Sequence, residues 1–129
     1  MRHKKLSNKI GRTSSHRKAM YANMLCSLIE HGRIQSTDRK IRDLKRIAER
    51  TITKATRLGD LLKQDADGMT VDQRARVVHA MRDVRKTVKS RDAVSRLFNH
   101  VAPKCLGRPG GYTRSFKLGN RKGDNGPMR

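Results

Sequence analysis

The sequence predicts an α+β domain of about four helices with a small amount of extended chain. Apolar residues recur at helical spacing in four separate windows. Two short stretches, 33–36 and 112–118, read as extended instead. No repeat or linker divides the 129 residues, a length that suits one domain. Hydrophobic residues make up 34% and aromatics only 3%, so the core is aliphatic and small for the chain.

Residues 1–13 are polar, basic and aperiodic, and read as an arm ahead of a single domain at 14–129. Arg12-Thr13-Ser14-Ser15 offers N-caps for a first helix. Its apolar face is Met20, Tyr21, Met24, Leu25, Leu28 and Ile29, and Gly32 supplies the C-cap. Arg33 to Ser36 looks extended, enough for one short strand. Thr37 or Asp38 caps a second helix with Ile41, Leu44, Ala48, Ile52, Ala55 and Leu58 on one side, ended by Gly59. Residues 59–69 form a polar loop. Thr70-Val71-Asp72-Gln73 has capping-box spacing and opens a third helix with Ala75, Val78, Met81, Val84 and Val88 on one face. Ser90 caps a fourth, carrying Ala93, Val94, Leu97, Phe98 and Val101, and Pro103 stops it. The alternation of Tyr112, Arg114, Phe116 and Leu118 against Thr113, Ser115 and Lys117 predicts a strand over 112–118.

Charge narrows the function. Thirty-two Lys and Arg oppose eleven Asp and Glu, for a formal net charge of +21. Such a chain repels itself when compact, and a polyanion relieves the repulsion. Residues 1–29 and 93–123 each hold seven Lys or Arg and no carboxylate, so both ends are purely cationic. Nothing approaches the eighteen or so apolar residues of a membrane span, and MRHKKLSNKIG has no apolar run behind it to make a secretory signal. The helical stripes are too modest for lying on lipid. Cys26 and Cys105 fit no metal spacing and read as two buried thiols in a reducing compartment.

Three constellations fit phosphate. A helix N-terminus prefers acidic residues, yet the first turn of the first helix brings Ser14, Ser15, His16, Arg17 and Lys18. An anion held by free N–H groups, hydroxyls and cations would explain this; a serine cap among solvated basic neighbours is the plainer alternative. In the second helix Arg39, Arg42, Arg46, Arg50, Lys54 and Arg57 recur every three or four residues, with only Asp43 and Glu49 nearby. This is either a solvated face or a row that tracks a phosphate backbone. The ends form the third: an arm with Arg2, His3, Lys4, Lys5, Lys9 and Arg12, and the stretch RPGGYTRSFKLGNRKGDN. There Arg108, Arg114, Lys117, Arg121 and Lys122 accompany Gly110 and Gly111, which permit close backbone approach. Tyr112 and Phe116 could stack on bases, but packing on the helices is the better reading of both rings.

Enzymatic readings fare badly. Asp65-Ala66-Asp67-Gly68 suggests a calcium loop, but the required first and twelfth positions are Lys63 and Arg74. No nucleotide, serine-hydrolase or zinc motif is present, the histidines are scattered, and no cofactor or metal is expected. A DNA-binding architectural or regulatory protein is the main rival. Sequence-specific DNA binders concentrate cations on one recognition element, whereas here they cover both ends and several helices, which favours a folded RNA.

Four stretches in order resemble the bacterial-type large ribosomal subunit protein 17 family. They are Met1-Arg2-His3 with Arg12 to Arg17, Met20 and Asn23-Met24; Ile34-Gln35-Ser36-Thr37 with Lys40; Leu44 to Glu49 with Ile52-Thr53 and Ala55; and Leu97-Phe98 through Gly110 to Arg114 and Gly123-Asp124-Asn125. The resemblance implies a three-stranded sheet, incomplete if the partner of 112–118 is wanting. It implies a non-enzymatic structural protein of the large subunit, bound to rRNA near the nascent-peptide exit. Neighbouring ribosomal proteins would be partners, in the ribosome of a bacterial cytoplasm or of an organelle, and Lys40 would join the RNA-binding set.

Overall fold

The computed structural model describes residues 9–129. Helix α1 is Ser14–His31, α2 is Asp38–Thr56, α3 is Val71–Arg85 and α4 is Arg91–Arg96. Short 3₁₀ turns at Gly59–Lys63 and Ala66–Gly68 join α2 to α3. A two-stranded antiparallel ribbon, β1 (Gly119–Asn120) and β2 (Pro127–Met128), ends the chain.

The helix ends follow their local chemistry. The Thr13 hydroxyl caps α1 by accepting from the His16 N–H, and Gly32 ends the helix at φ 74°, returning its N–H to the Leu28 carbonyl. Thr70 and Gln73 close a reciprocal capping box on α3. Ser90 Oγ accepts from the Ala93 N–H at 3.2 Å and meets Glu30 of α1 at 3.3 Å. Ser90→Ala should therefore cost about 1 kcal/mol, read as a lowered chemical-denaturation midpoint with an unchanged slope.

The core lies where α1, α2 and α4 meet the end of α3. Leu25, Leu44, Ala48, Ala55, Val84, Val88, Ala93, Leu97 and Ala102 are all but sealed. Tyr21 is buried too, and its hydroxyl donates to the buried Asp43 at 3.1 Å. Burial, and then the Asp43 carboxylate, push the Tyr21 hydroxyl up to about 12, so it stays a donor across the physiological range. The pair ties α1 to α2 inside the core, with the polar groups satisfying each other.

Five expectations need correction. Gly59 does not end α2: the helix stops at Thr56, and Gly59, at φ 57°, begins a 3₁₀ turn. The 59–69 loop is accordingly two 3₁₀ turns. On α3 only Val84 is fully buried; Ala75 is exposed and Val78 is 43% exposed, because α3 packs on its neighbours through its C-terminal half. Periodicity marks a face but not how much of it is covered. The fourth helix is α-helical only to Arg96 and then widens into a π turn, Leu97–Val101, with Ala102 N–H on the Leu97 carbonyl at 2.8 Å. That turn keeps Leu97 and Phe98 buried before Pro103 opens a 3₁₀ turn.

The fifth concerns the sheet. Residues 112–118 form no strand, because Glu49 rather than a neighbouring strand takes the N–H groups of Tyr112 and Thr113. The ribbon forms later, around a turn built from the Gly-Asp-Asn segment, with Arg121 N–H on the Gly126 carbonyl at 2.8 Å. The expected third strand is reduced to a single bridge, Thr37 to Met128, supported by Ser36 and Arg129 exchanging backbone hydrogen bonds at 2.8 and 2.9 Å.

Candidate nucleic-acid interface

At the start of α1, Ser14, Ser15, His16 and Lys18 are exposed and the first turn holds no carboxylate. Arg17 is half-buried, its guanidinium donating to the Arg12 carbonyl at 3.4 Å. Arg12 is also half-buried, and its Nε is buried without a hydrogen-bond partner. Ile10 packs against the core, so the chain is anchored before the helix begins. Arg2, His3, Lys4 and Lys5 lie outside the described residues.

The α2 row divides into paired and unpaired cations. Arg42 meets Asp38 at 2.9 Å, and Lys54 meets Asp83 of α3 at 2.8 Å. Asp83 also receives Lys86 at 3.2 Å, and hydrogen bonds from the two lysines hold its carboxyl below the usual range. Among the described residues Arg39, Arg46, Arg50 and Arg57 have no carboxylate within salt-bridge distance, and all four are exposed. Lys40 is half-buried.

Glu49 carries the geometry of the C-terminal segment. Its carboxylate accepts the Tyr112 N–H at 3.1 Å, the Thr113 N–H at 2.8 Å and the Thr113 hydroxyl at 2.6 Å. Burial alone would raise this carboxyl, but the hydrogen bonds from Thr113, Tyr112 and Gly111 outweigh it and hold it below the ordinary value. The Gly-Gly-Tyr segment is thereby clamped to α2 beside Arg46 and Arg50. Tyr112 packs against the core with its hydroxyl on the Arg108 carbonyl at 3.0 Å, as expected for a ring packed on helices. Phe116 does not: it is 73% exposed.

The remaining cations there differ in freedom. Arg108, Lys117 and Lys122 are exposed. Arg114 is exposed but folds onto its own segment, donating to the Gly111 carbonyl at 2.9 Å. Arg121 forms a two-pronged pair with Asp124, at 3.0 and 2.5 Å; this pair holds the Asp124 carboxyl at about 2. The structure thus brings the Gly110–Gly111 segment to the α2 row, while Arg121 is largely committed to its turn.

The carboxylates were the feature composition obscured. Asp38, Asp43 and Glu49 interrupt an otherwise cationic helix, and each holds a specific partner: Asp38 meets Arg42 and Arg129, Asp43 meets Tyr21, and Glu49 meets residues 112–113. A lone acid inside a row of like charges is the signal that marks such anchors. Among the described residues no group of three His, Cys, Asp or Glu could hold a metal ion. Cys26 and Cys105 are free and half-buried rather than buried, and desolvation raises the Cys105 thiol.

Among the described residues, the exposed cations without carboxylate partners have the chemistry to meet a polyanion. A model of the ribosomal protein L17 family matches residues 20–129.

The chain belongs to that family.

Among its L17 relatives, large ribosomal subunit protein bL17 of Syntrophotalea carbinolica is 43% identical over 128 residues, covering 99% of this chain and 71% of that protein. The bL17 protein of Sorangium cellulosum is 42% identical, covering 99% and 80%. That of Desulforapulum autotrophicum is 41% identical, covering 99% and 92%. The L17 match takes in α2, the Glu49 clamp and the terminal ribbon. The start of α1 lies before its first matched residue but inside the pairwise similarities.

Proposed function

We propose that this chain is a structural, non-enzymatic component of the large ribosomal subunit. It binds folded rRNA through phosphates near the nascent-peptide exit, alongside neighbouring large-subunit proteins. Its place is the ribosome of a bacterial cytoplasm or of an organelle. The observation that carries the reading is the spread, among the described residues, of cations without carboxylate partners over separate elements: the α1 start, Arg39, Arg46, Arg50 and Arg57 of α2, and Arg108, Lys117 and Lys122. A duplex presents phosphates from one side, whereas a folded RNA surrounds its ligand, so this spread favours RNA over the DNA-binding alternative. Affinity comes from charge and position rather than base readout.

In this reading the arm residues Arg2, His3, Lys4, Lys5 and Arg12 enter a crevice. Ser14, Ser15, His16, Arg17 and Lys18 hold a phosphate at the helix start. The α2 row lies along a backbone, and Gly110 and Gly111 let RNA approach the clamped segment. Arg17→Glu should then weaken incorporation into reconstituted large subunits roughly tenfold more than Arg76→Glu on α3, since a charge-assisted phosphate contact is worth about 1.5–3 kcal/mol. Equal losses would remove the phosphate site at α1.

A further inference from the structure

Helix α3 carries two apolar faces. Ala80, Met81 and Val84 belong to the core side, and Val84 is fully buried. Away from it stand Val71, 83% exposed, Ala75, also exposed, and Val78, 43% exposed. At about 100° per residue these three lie within about 60° of one another, far around the helix from Val84. Arg82 continues the line, so the steps from Val71 are four, three and four residues. That is the spacing of a helix–helix seam. A single exposed apolar residue is ordinary surface, but three in register are not. Helix propensity does not account for them, because valine is a weaker helix former than the alanine or lysine a solvated face could use.

This face is held ready by its neighbours. The capping box of Thr70 and Gln73 fixes the first turn, and Arg74 donates to the Asp67 carbonyl at 3.4 Å, tying the preceding loop to the helix. Charge then narrows the occupant. Residues 59–72 hold Asp60, Asp65, Asp67 and Asp72 against Lys63, and all four carboxylates are exposed, in a chain of net charge +21. Phosphate is disfavoured at such an end. A second copy is disfavoured too, because the net charge opposes self-association and a stripe of about two turns falls short of the roughly 1,000 Å² that a free-standing interface needs.

We infer that the outer face of the N-terminal half of α3 docks an amphipathic helix of a neighbouring large-subunit protein. The inference rests on the ribosomal reading above, since so short a seam suffices where the partner is held in the same particle, at an effective concentration on the order of millimolar. The chemistry of the occupant follows from the face. Apolar residues at three- and four-residue spacing meet Val71, Ala75 and Val78, and the small Ala75 lets the two helices approach closely. Lys or Arg lies beside Asp67 and Asp72, and a carboxylate lies beside the exposed Arg82.

The test is photo-crosslinking in large subunits reconstituted from purified components, with p-benzoylphenylalanine replacing His79 on the flank of the stripe. A parallel chain carries the same group in place of Lys18, where the ribosomal reading expects rRNA. The expected product at position 79 is a crosslink to another protein, through a peptide with apolar residues at helical spacing, Lys or Arg at one end and a carboxylate at the other. Val71→Lys with Val78→Lys, both at exposed positions, should leave incorporation unchanged and cut that crosslink at least about tenfold. A crosslink from position 79 to rRNA or to a second copy, no protein crosslink, or a yield untouched by the double variant would overturn the inference while incorporation and the position-18 crosslink upheld the ribosomal reading. Failure of the chain to enter the subunit would overturn both.

Discussion

Raising monovalent salt from about 50 to about 200 mM should lower the affinity of the purified protein for large-subunit rRNA by roughly a thousandfold or more. The expectation follows from which cations are free. Arg39, Arg46, Arg50 and Arg57 on α2, Lys18 on α1, and Arg108, Lys117 and Lys122 near the C-terminus are exposed and without carboxylate partners among the described residues. If six or more reach phosphates, each releases condensed counterions, and affinity falls along a slope near one decade of affinity per decade of salt per contact. Arg42, Lys54 and Arg121 must first give up Asp38, Asp83 and Asp124. Neutralising any of them should flatten the slope less than neutralising Arg46 or Arg50. A salt response near zero would mean that the cations decorate the surface without touching RNA.

Replacing Glu49 by Ala should destabilise the fold by roughly 2–4 kcal/mol and loosen the C-terminal segment. The substitution strips the acceptor from two backbone N–H groups and one hydroxyl at once. Hydrogen bonds to a charged group are stronger than neutral ones, and the donors left behind are half-buried. Glu49→Gln keeps an acceptor oxygen but turns an NH₂ toward donors, so it should fall between Ala and the parent. Acid should mimic the change. The folded carboxyl binds its proton less readily than the ordinary value of 4.5. Its contribution is therefore full above that value and drains away as pH falls through the lower folded value. Thermal melts against pH would show the parent losing stability there and Glu49→Ala losing less. Amide exchange at Tyr112 and Thr113 should quicken in the variant; unchanged exchange would refute the clamp.

Much of this was legible in the residues. The α1 and α2 stripes, the Thr70 capping box, the Ser90 cap and the Gly32 terminator depend on neighbours within one helical turn, and short-range chemistry decides them. The C-terminal segment was misread because its partner is sixty-odd residues away. Alternation over 112–118 satisfies a strand, but only the fold reveals that Glu49 claims the backbone donors a strand would use. Phe116 was misjudged for a related reason. Apolar character predicts burial, while the wall it occupies faces an open groove. For the candidate site, the sequence located the cations but not which of them were already held. Arg42, Lys54 and Arg121 read the same as Arg46 and Arg50 until Asp38, Asp83 and Asp124 are placed in space.

Direct competition tests the central claim, with labelled large-subunit rRNA held by the full chain and challenged by duplex DNA at equal phosphate concentration and moderate salt. The electrostatic term is common to both polyanions, so a surface that merely gathers phosphate would exchange freely. A chain built to be surrounded by folded rRNA should stay on the rRNA until DNA is in at least about a hundredfold excess, a preference near 2.7 kcal/mol. Displacement at parity would contradict it.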